Sequence, residues 1–192
     1  FDDLQVHYDV FDNYHWTYLI KESKHRALNA LLPQIIKWND LYQSRIPELS
    51  NDLLVSHRDM HHKNILWEEG LTPHIVDWES AGLINPVLEV IGYGCEWSGI
   101  LWGQFNQEIF LALIDAYLKE KKTLSKTDVK TAFYGWIGHC VLGWTEFNIR
   151  RILGMVSSDP DEAKIGNTII DMRMSKCLQY LYDNEAAMLK IM

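Results

Sequence analysis

The sequence predicts a mainly helical fold with one small β-hairpin. Apolar residues recur at spacings of three and four along most of the chain, and only one place joins two β-prone runs through a Gly/Pro connection. With 192 residues, 47% of them hydrophobic and 23% charged, the chain is long enough to bury its own core. No internal repeat, low-complexity tract or linker divides it, so residues 1–192 read as a single domain.

Each element has its own signal. Leu28, Leu31, Leu32, Ile35, Ile36, Leu41 and Tyr42 share one helical face, and Pro33 within it predicts a helix start or a kink. Ile65-Leu66-Trp67 and His74-Ile75-Val76, separated by a polar run with Gly70 and Pro73, predict the hairpin. Asn85-Pro86 reads as an N-cap and first-turn proline, opening a helix with Val87, Val90, Ile91 and Gly94 on one side. Ile109, Phe110, Leu113, Ile114, Tyr117 and Leu118 mark the next helix. Ser125 and Asp128 resemble a capping box before a stripe from Val129 to Trp144, which places Trp136 and Trp144 in the core. Asp159-Pro160-Asp161-Glu162 starts a further helix, and Ile169, Ile170, Leu178, Leu181, Met188 and Leu189 lie on the last.

Composition narrows the function classes. A net charge of −8 argues against a nucleic-acid partner, and no apolar run predicts a membrane span or a signal peptide. Cys95, Cys140 and Cys177 are odd in number and far apart, which predicts buried thiols in a reducing, cytoplasmic setting. The first glycine is Gly70, so the preceding residues cannot hold a glycine-rich phosphate loop. Phe1 at the start suggests a processed chain or a piece of a longer polypeptide.

The chemistry concentrates in Ser56-His57-Arg58-Asp59-Met60-His61-His62-Lys63-Asn64-Ile65-Leu66-Trp67 and in Ile75-Val76-Asp77-Trp78-Glu79. Asn64 lies at the mouth of the first hairpin strand and Asp77 at the end of the second, so folding the hairpin brings them together with Asp59 facing them. Phosphoryl transfer requires that set: a carboxylate to orient a hydroxyl and take its proton, and a few oxygen ligands for magnesium. Asp59 fits the base, and Asn64 and Asp77 fit the metal ligands, in the order of the kinase signature His-Arg-Asp-x-x-x-x-Asn. His57, His61 and His62 lack the spacing of a zinc site, and no Gly-x-Ser-x-Gly elbow occurs.

HRDMHHKNILW followed by IVDWESAG resembles the aminoglycoside phosphotransferase and choline kinase-like family, whose loop typically reads His-Gly-Asp-x-His-x-x-Asn. The resemblance implies a protein kinase-like C-terminal lobe with catalytic loop 57–64 and a metal-binding hairpin end at Asp77. It implies Asp59 as catalytic base, Asn64 and Asp77 as Mg2+ ligands, His57 and His61 as loop supports, and ATP or another nucleoside triphosphate as co-substrate. Arg58 stands where the family usually has Gly. Asn85 and Glu89 replace the acidic residues of its Asp-Pro-x-x-Asp segment. The N-terminal nucleotide-binding lobe of such kinases has no counterpart in this sequence, so the isolated chain is expected to be weakly active or inactive. Protein kinases proper fit less well, since Trp78-Glu79 follows Asp77 and no activation loop is present.

The expected partner is a small-molecule hydroxyl acceptor. The acidic charge favours an aminoglycoside-like or other cationic alcohol, with Glu79 and Glu96 as candidates for contacting its amine and one of Trp78, Trp97 and Trp102 for lining its pocket. The alternative is a non-catalytic, pseudokinase-like binding or regulatory module.

Overall fold

Helix α1 (Asn13–Ser23) begins where the Asp12 carboxylate accepts the His15 N–H at 2.7 Å, and it buries Trp16, Leu19 and Ile20. These coordinates come from a computed structural model, which describes residues 6–121 and 127–192. Helix α2 (Arg26–Leu49) is capped by His25 and runs through both Pro33 and Pro47. Its start at Arg26 lies ahead of Pro33, so the proline does not set the boundary. Burial of Leu28, Leu31, Ile35, Trp38 and Tyr42 along one face outweighs the cost of about 3 kcal/mol for an interior proline.

The strands form two nested antiparallel pairs. The outer pair joins β1 (Leu54–Ser56) to β4 (Gly82–Ile84), with Val55 opposite Leu83. The inner pair is the expected hairpin of β2 (Ile65–Trp67) and β3 (Pro73–Ile75), with Leu66 opposite His74. β3 therefore begins one residue earlier than its β-prone run suggested. The outer pair has no sequence signal, because no short Gly/Pro turn joins its strands, which lie on either side of the motif loops and the inner hairpin. It clamps the segment at Leu54 and Ile84 and projects the motif loops between the clamp and the hairpin.

Helix α3 (Pro86–Trp97) starts as expected at Asn85, whose Oδ1 accepts the N–H groups of Val87 and Leu88 at 3.0 and 3.3 Å. Helix α4 (Gln107–Lys121) follows. Asp128 caps α5 (Val129–Trp136), while the Ser125 half of the expected capping box lies outside the described residues. A π-helical turn, Ile137–Leu142, carries α5 into α6 (Gly143–Ile152). A second, Ile170–Met174, carries α7 (Pro160–Ile169) into α8 (Ser175–Ile191).

Trp16, Trp38, Trp136, Tyr42, Phe110 and Phe133 are the largest fully buried side chains, and one apolar cluster runs through them from α1 to α8. Trp136 is core as expected, but Trp144 is 49% exposed. Gly138 lies against the Tyr42 ring, and a Cβ there would collide with it, so glycine is what lets the first π turn approach α2. Among the described residues no helix is long and apolar enough to cross a membrane.

Candidate active site

The loop from His57 to Asn64 is held from both sides. His57 is buried, and its Nε2–H donates to the Val76 carbonyl at 2.8 Å. A carbonyl only accepts, so Nδ1 is the unprotonated nitrogen, and it accepts the Asp59 N–H at 3.2 Å. One ring thus ties the loop to the end of the hairpin.

Helix α3 holds the other side through one face. Glu89 Oε1 accepts the Arg58 N–H at 3.2 Å and the Tyr93 O–H at 3.1 Å. The Tyr93 oxygen in turn accepts the Met60 N–H at 3.0 Å, and Trp97 Nε1–H donates to the Met60 carbonyl at 3.0 Å. Glu89, Tyr93 and Trp97 are four residues apart, so successive helical turns present them to the loop. Burial, then the Glu89 carboxylate, pushes the Tyr93 phenol well above its ordinary value, which keeps it a neutral donor.

Asn64 is buried, and its Nδ2 donates to Asp59 twice, to the carbonyl at 2.9 Å and to Oδ2 at 3.0 Å. Both partners are acceptors, so the amide nitrogen is fixed on Asp59 and the amide oxygen is left for another ligand. The Asn64 carbonyl accepts the Val76 N–H at 3.0 Å, which brings Asp77 to the same end of the hairpin. Asp77 is exposed and left-handed, at φ 65° and ψ 60°. Non-glycine residues held in that region concentrate at functional sites. His61 Nδ1 accepts the Lys63 N–H at 3.2 Å, leaving Nε2 3.8 Å from Asp59 Oδ2.

An amide oxygen and a carboxylate suit magnesium, which takes few protein ligands and leaves positions for water and phosphate. Asn64 and Asp77 fit that requirement. Among the described residues no cluster of three His, Cys, Asp or Glu side chains could hold a metal.

Beside Asp59 opens a cavity of about 580 Å³. Glu96 lines it, and its carboxylate accepts the Trp136 Nε1–H at 3.3 Å. Burial pushes the Glu96 carboxyl up, the Asp59 charge adds to this, and the Trp136 hydrogen bond and His61 oppose it. Trp97 and Trp102 line the cavity, whereas Trp78 packs edge-on against His57. Glu79 is exposed on the turn Trp78–Ser80 and is not among the lining residues. Cys140, expected as a buried structural thiol, is half-buried and lines the cavity as well. Tyr93, His139 and Arg173 complete the site, and no motif or spacing marks them in the sequence.

The model of the phosphotransferase enzyme family matches residues 2–122, a span that takes in the motif loop, the hairpin and α3. The chain belongs to that family. Among curated proteins, none matches it. Among solved structures it is similar to an ethanolamine kinase of Plasmodium vivax, at 16% identity and a TM-score of 0.49. That match covers 86% of this chain and 47% of the kinase, so the chain spans about half the kinase's length.

Two departures of this phosphotransferase-family member from its relatives' pattern have local physical causes. Arg58 has φ 65°, the left-handed conformation that glycine adopts without strain, which accounts for glycine at that position in the family motif. Asn85 replaces an acidic residue and uses both ends of its amide. Oδ1 caps α3, while Nδ2 donates to the Asn51 carbonyl at 3.0 Å and to Thr127 Oγ1 at 2.9 Å, bonds a carboxylate could not make. Glu89 keeps an anchoring role despite its extra methylene.

Proposed function

We propose that the chain is the catalytic and acceptor-binding part of an ATP-dependent small-molecule phosphotransferase. The observation that carries this reading is the paired hydrogen bond from Asn64 Nδ2 to Asp59. It fixes the carboxylate at the mouth of the cavity and turns the amide oxygen away as a hard ligand. Asn64 and Asp77 would hold Mg2+, which when bound offsets negative charge on the nucleotide phosphates.

The acceptor enters the cavity with its hydroxyl toward Asp59. The carboxylate orients the O–H and takes its proton as the oxygen attacks the γ-phosphorus. The bond between that phosphorus and the β,γ-bridging oxygen breaks, and the nucleoside diphosphate leaves. His57 and the Glu89–Tyr93 pair hold the loop backbone, so Asp59 is positioned before the acceptor arrives. The nucleotide's other wall would be the β-rich N-terminal lobe that the family resemblance implies. Leu66, Trp67 and Ile75, exposed on the hairpin, give such a lobe an apolar surface to cover.

The test is phosphoryl transfer by the complete protein, followed by ³¹P NMR with wild type and Asp59→Asn. Removing the base is expected to lower the rate by about 10²–10⁴-fold with the fold intact. Near-normal transfer by the variant would remove Asp59 from the reaction, and no transfer by either protein would favour the non-catalytic binding module.

A further inference from the structure

The cavity beside Asp59 has a second wall, built by the two π-helical turns. Ile137–Leu142 contributes His139 and Cys140, and Ile170–Met174 contributes Arg173. Such turns are rare, and they concentrate at functional sites because the extra residue re-aims the side chains around it. Two in one protein, both opening onto one cavity, make the wall a built feature.

Its charges are unlike those expected for a cationic acceptor. Arg58 and Arg173 both line the cavity, and among the described residues neither joins any ion pair. The Arg173 guanidinium lies over the Trp102 ring, 4.5 Å from its centroid, which holds it in place and leaves its N–H edge free. His139 Nδ1 is buried without a hydrogen-bond partner. An orphaned buried nitrogen is costly unless a ligand supplies the missing partner.

Among the described residues, the carboxylates of the cavity are bonded elsewhere and pair with neither guanidinium. Glu89 is engaged by the Arg58 backbone and by Tyr93. Glu96 is bonded to Trp136, and burial moves it toward its neutral form. Asp59 accepts the Asn64 amide at 3.0 Å. Two guanidiniums outside any ion pair and an imidazole nitrogen without a hydrogen-bond partner therefore set the character of this end of the cavity, whatever the net charge of the whole chain.

We propose that this wall, together with Arg58 lining the cavity from the loop, is an oxyanion subsite, and that the acceptor is an alcohol carrying a carboxylate or phosphate-ester group bound by Arg58 and Arg173. The assignment rests on the phosphotransfer reading only for the placing of the hydroxyl at Asp59. Guanidinium forks match either oxyanion in two-point geometry, so the shared chemistry is what the wall selects.

Calorimetric titration of the complete protein with glycerate, glycerol 3-phosphate, glycerol and choline tests this. At least one of the two anions is expected to bind about tenfold or more tightly than choline or glycerol, and comparing the two separates carboxylate from phosphate recognition. Arg173→Gln is expected to weaken anion binding about 10- to 100-fold, the loss of a charge-assisted contact. Arg58→Gly should do likewise, and it folds readily because glycine suits φ 65°. Choline binding as tightly as both anions, or anion affinity unchanged in both variants, would overturn the subsite. Transfer from radiolabelled ATP, measured alongside, separates the two readings. Anion binding that responds to Arg173→Gln without any phosphorylated product upholds the subsite against the phosphotransfer reading. Phosphorylated choline with no response to either variant does the reverse.

Discussion

The two walls of the cavity are built by opposite means. The loop wall, residues 57–64, is irregular backbone placed by hydrogen bonds from His57, Glu89, Tyr93 and Trp97. The helical wall is regular backbone placed by apolar packing, with Trp136 and Met174 both buried, and its polar groups reach the cavity only through the π turns. In the first wall each bond requires a particular side chain. In the second, the packing requires volume, with Arg173 stacked on Trp102 and the His139 ring edge-on to Tyr8. On the proposed function, chemistry belongs to the loop wall, and selection of the acceptor belongs to the helical wall together with Arg58 of the loop.

The strongest way to break that contrast is to loosen the loop wall alone. Glu89→Ala deletes the oxygen shared by the Arg58 N–H and the Tyr93 O–H, and a hydrogen bond to a charged group contributes about 1.5–3 kcal/mol. Denaturant titration is expected to show a loss of that order, with transfer falling further as Asp59 loses its support. Glu89→Gln, which keeps an acceptor oxygen, should recover part of both. If Glu89→Ala kept normal transfer, the loop would not depend on α3.

The helical wall should respond to volume instead. Gly138→Ala pushes a methyl group into Tyr42, and overpacking of this kind costs about 1–3 kcal/mol. Thermal melts should show that loss. Transfer rates measured well below the melting temperature should change less than in Glu89→Ala.

Glu96 sharpens the boundary between the walls, because it lines the cavity yet bonds into the core through Trp136. Its folded-state pKa is raised above the ordinary 4.5, so the folded chain holds the proton more tightly than the unfolded chain does. The stability it contributes is complete below 4.5 and is lost as pH rises through the folded value. Glu96→Gln is expected to raise the melting temperature near about pH 7.5 and to leave it close to wild type near about pH 4. Equal melting at both pH values would mean the carboxyl titrates normally.

The smallest effect on stability belongs to Arg58→Gly. Relief of the left-handed strain, about 1–2 kcal/mol, is largely offset by the backbone entropy of glycine, about 0.5–1 kcal/mol. A net change within about 1 kcal/mol by chemical denaturation is the expected outcome.

Legibility in the sequence follows the same division. The meeting of Asn64 with Asp59 and with the hairpin end before Asp77 was readable because a hairpin folds its two open ends together. The caps at Asn85 and Asp159 were readable because helix starts need side-chain acceptors, whereas Asp128 is itself the N-cap of α5 rather than the partner of a cap at Ser125. Helix α1 had a usable signal in Asp12 and the Trp16, Leu19 and Ile20 spacing. The β1–β4 pair had none, because no turn joins its two strands in sequence. Pro33 marks no helix start because tertiary burial of α2 overrides a local helix breaker. Arg173 and His139 were illegible for a different reason. Their place in the cavity depends on π turns, which shift the helical phase at points that periodicity does not mark.

The most direct measurement is steady-state ATP-dependent transfer to whichever of glycerate and glycerol 3-phosphate binds tighter, comparing wild type, Asp59→Asn and Arg173→Gln in the complete protein. If chemistry lies in the loop wall and acceptor selection in the helical wall, Asp59→Asn lowers kcat with little change in acceptor KM, and Arg173→Gln acts mainly by raising that KM. Both variants acting on the same parameter, or Asp59→Asn retaining wild-type kcat, would contradict it.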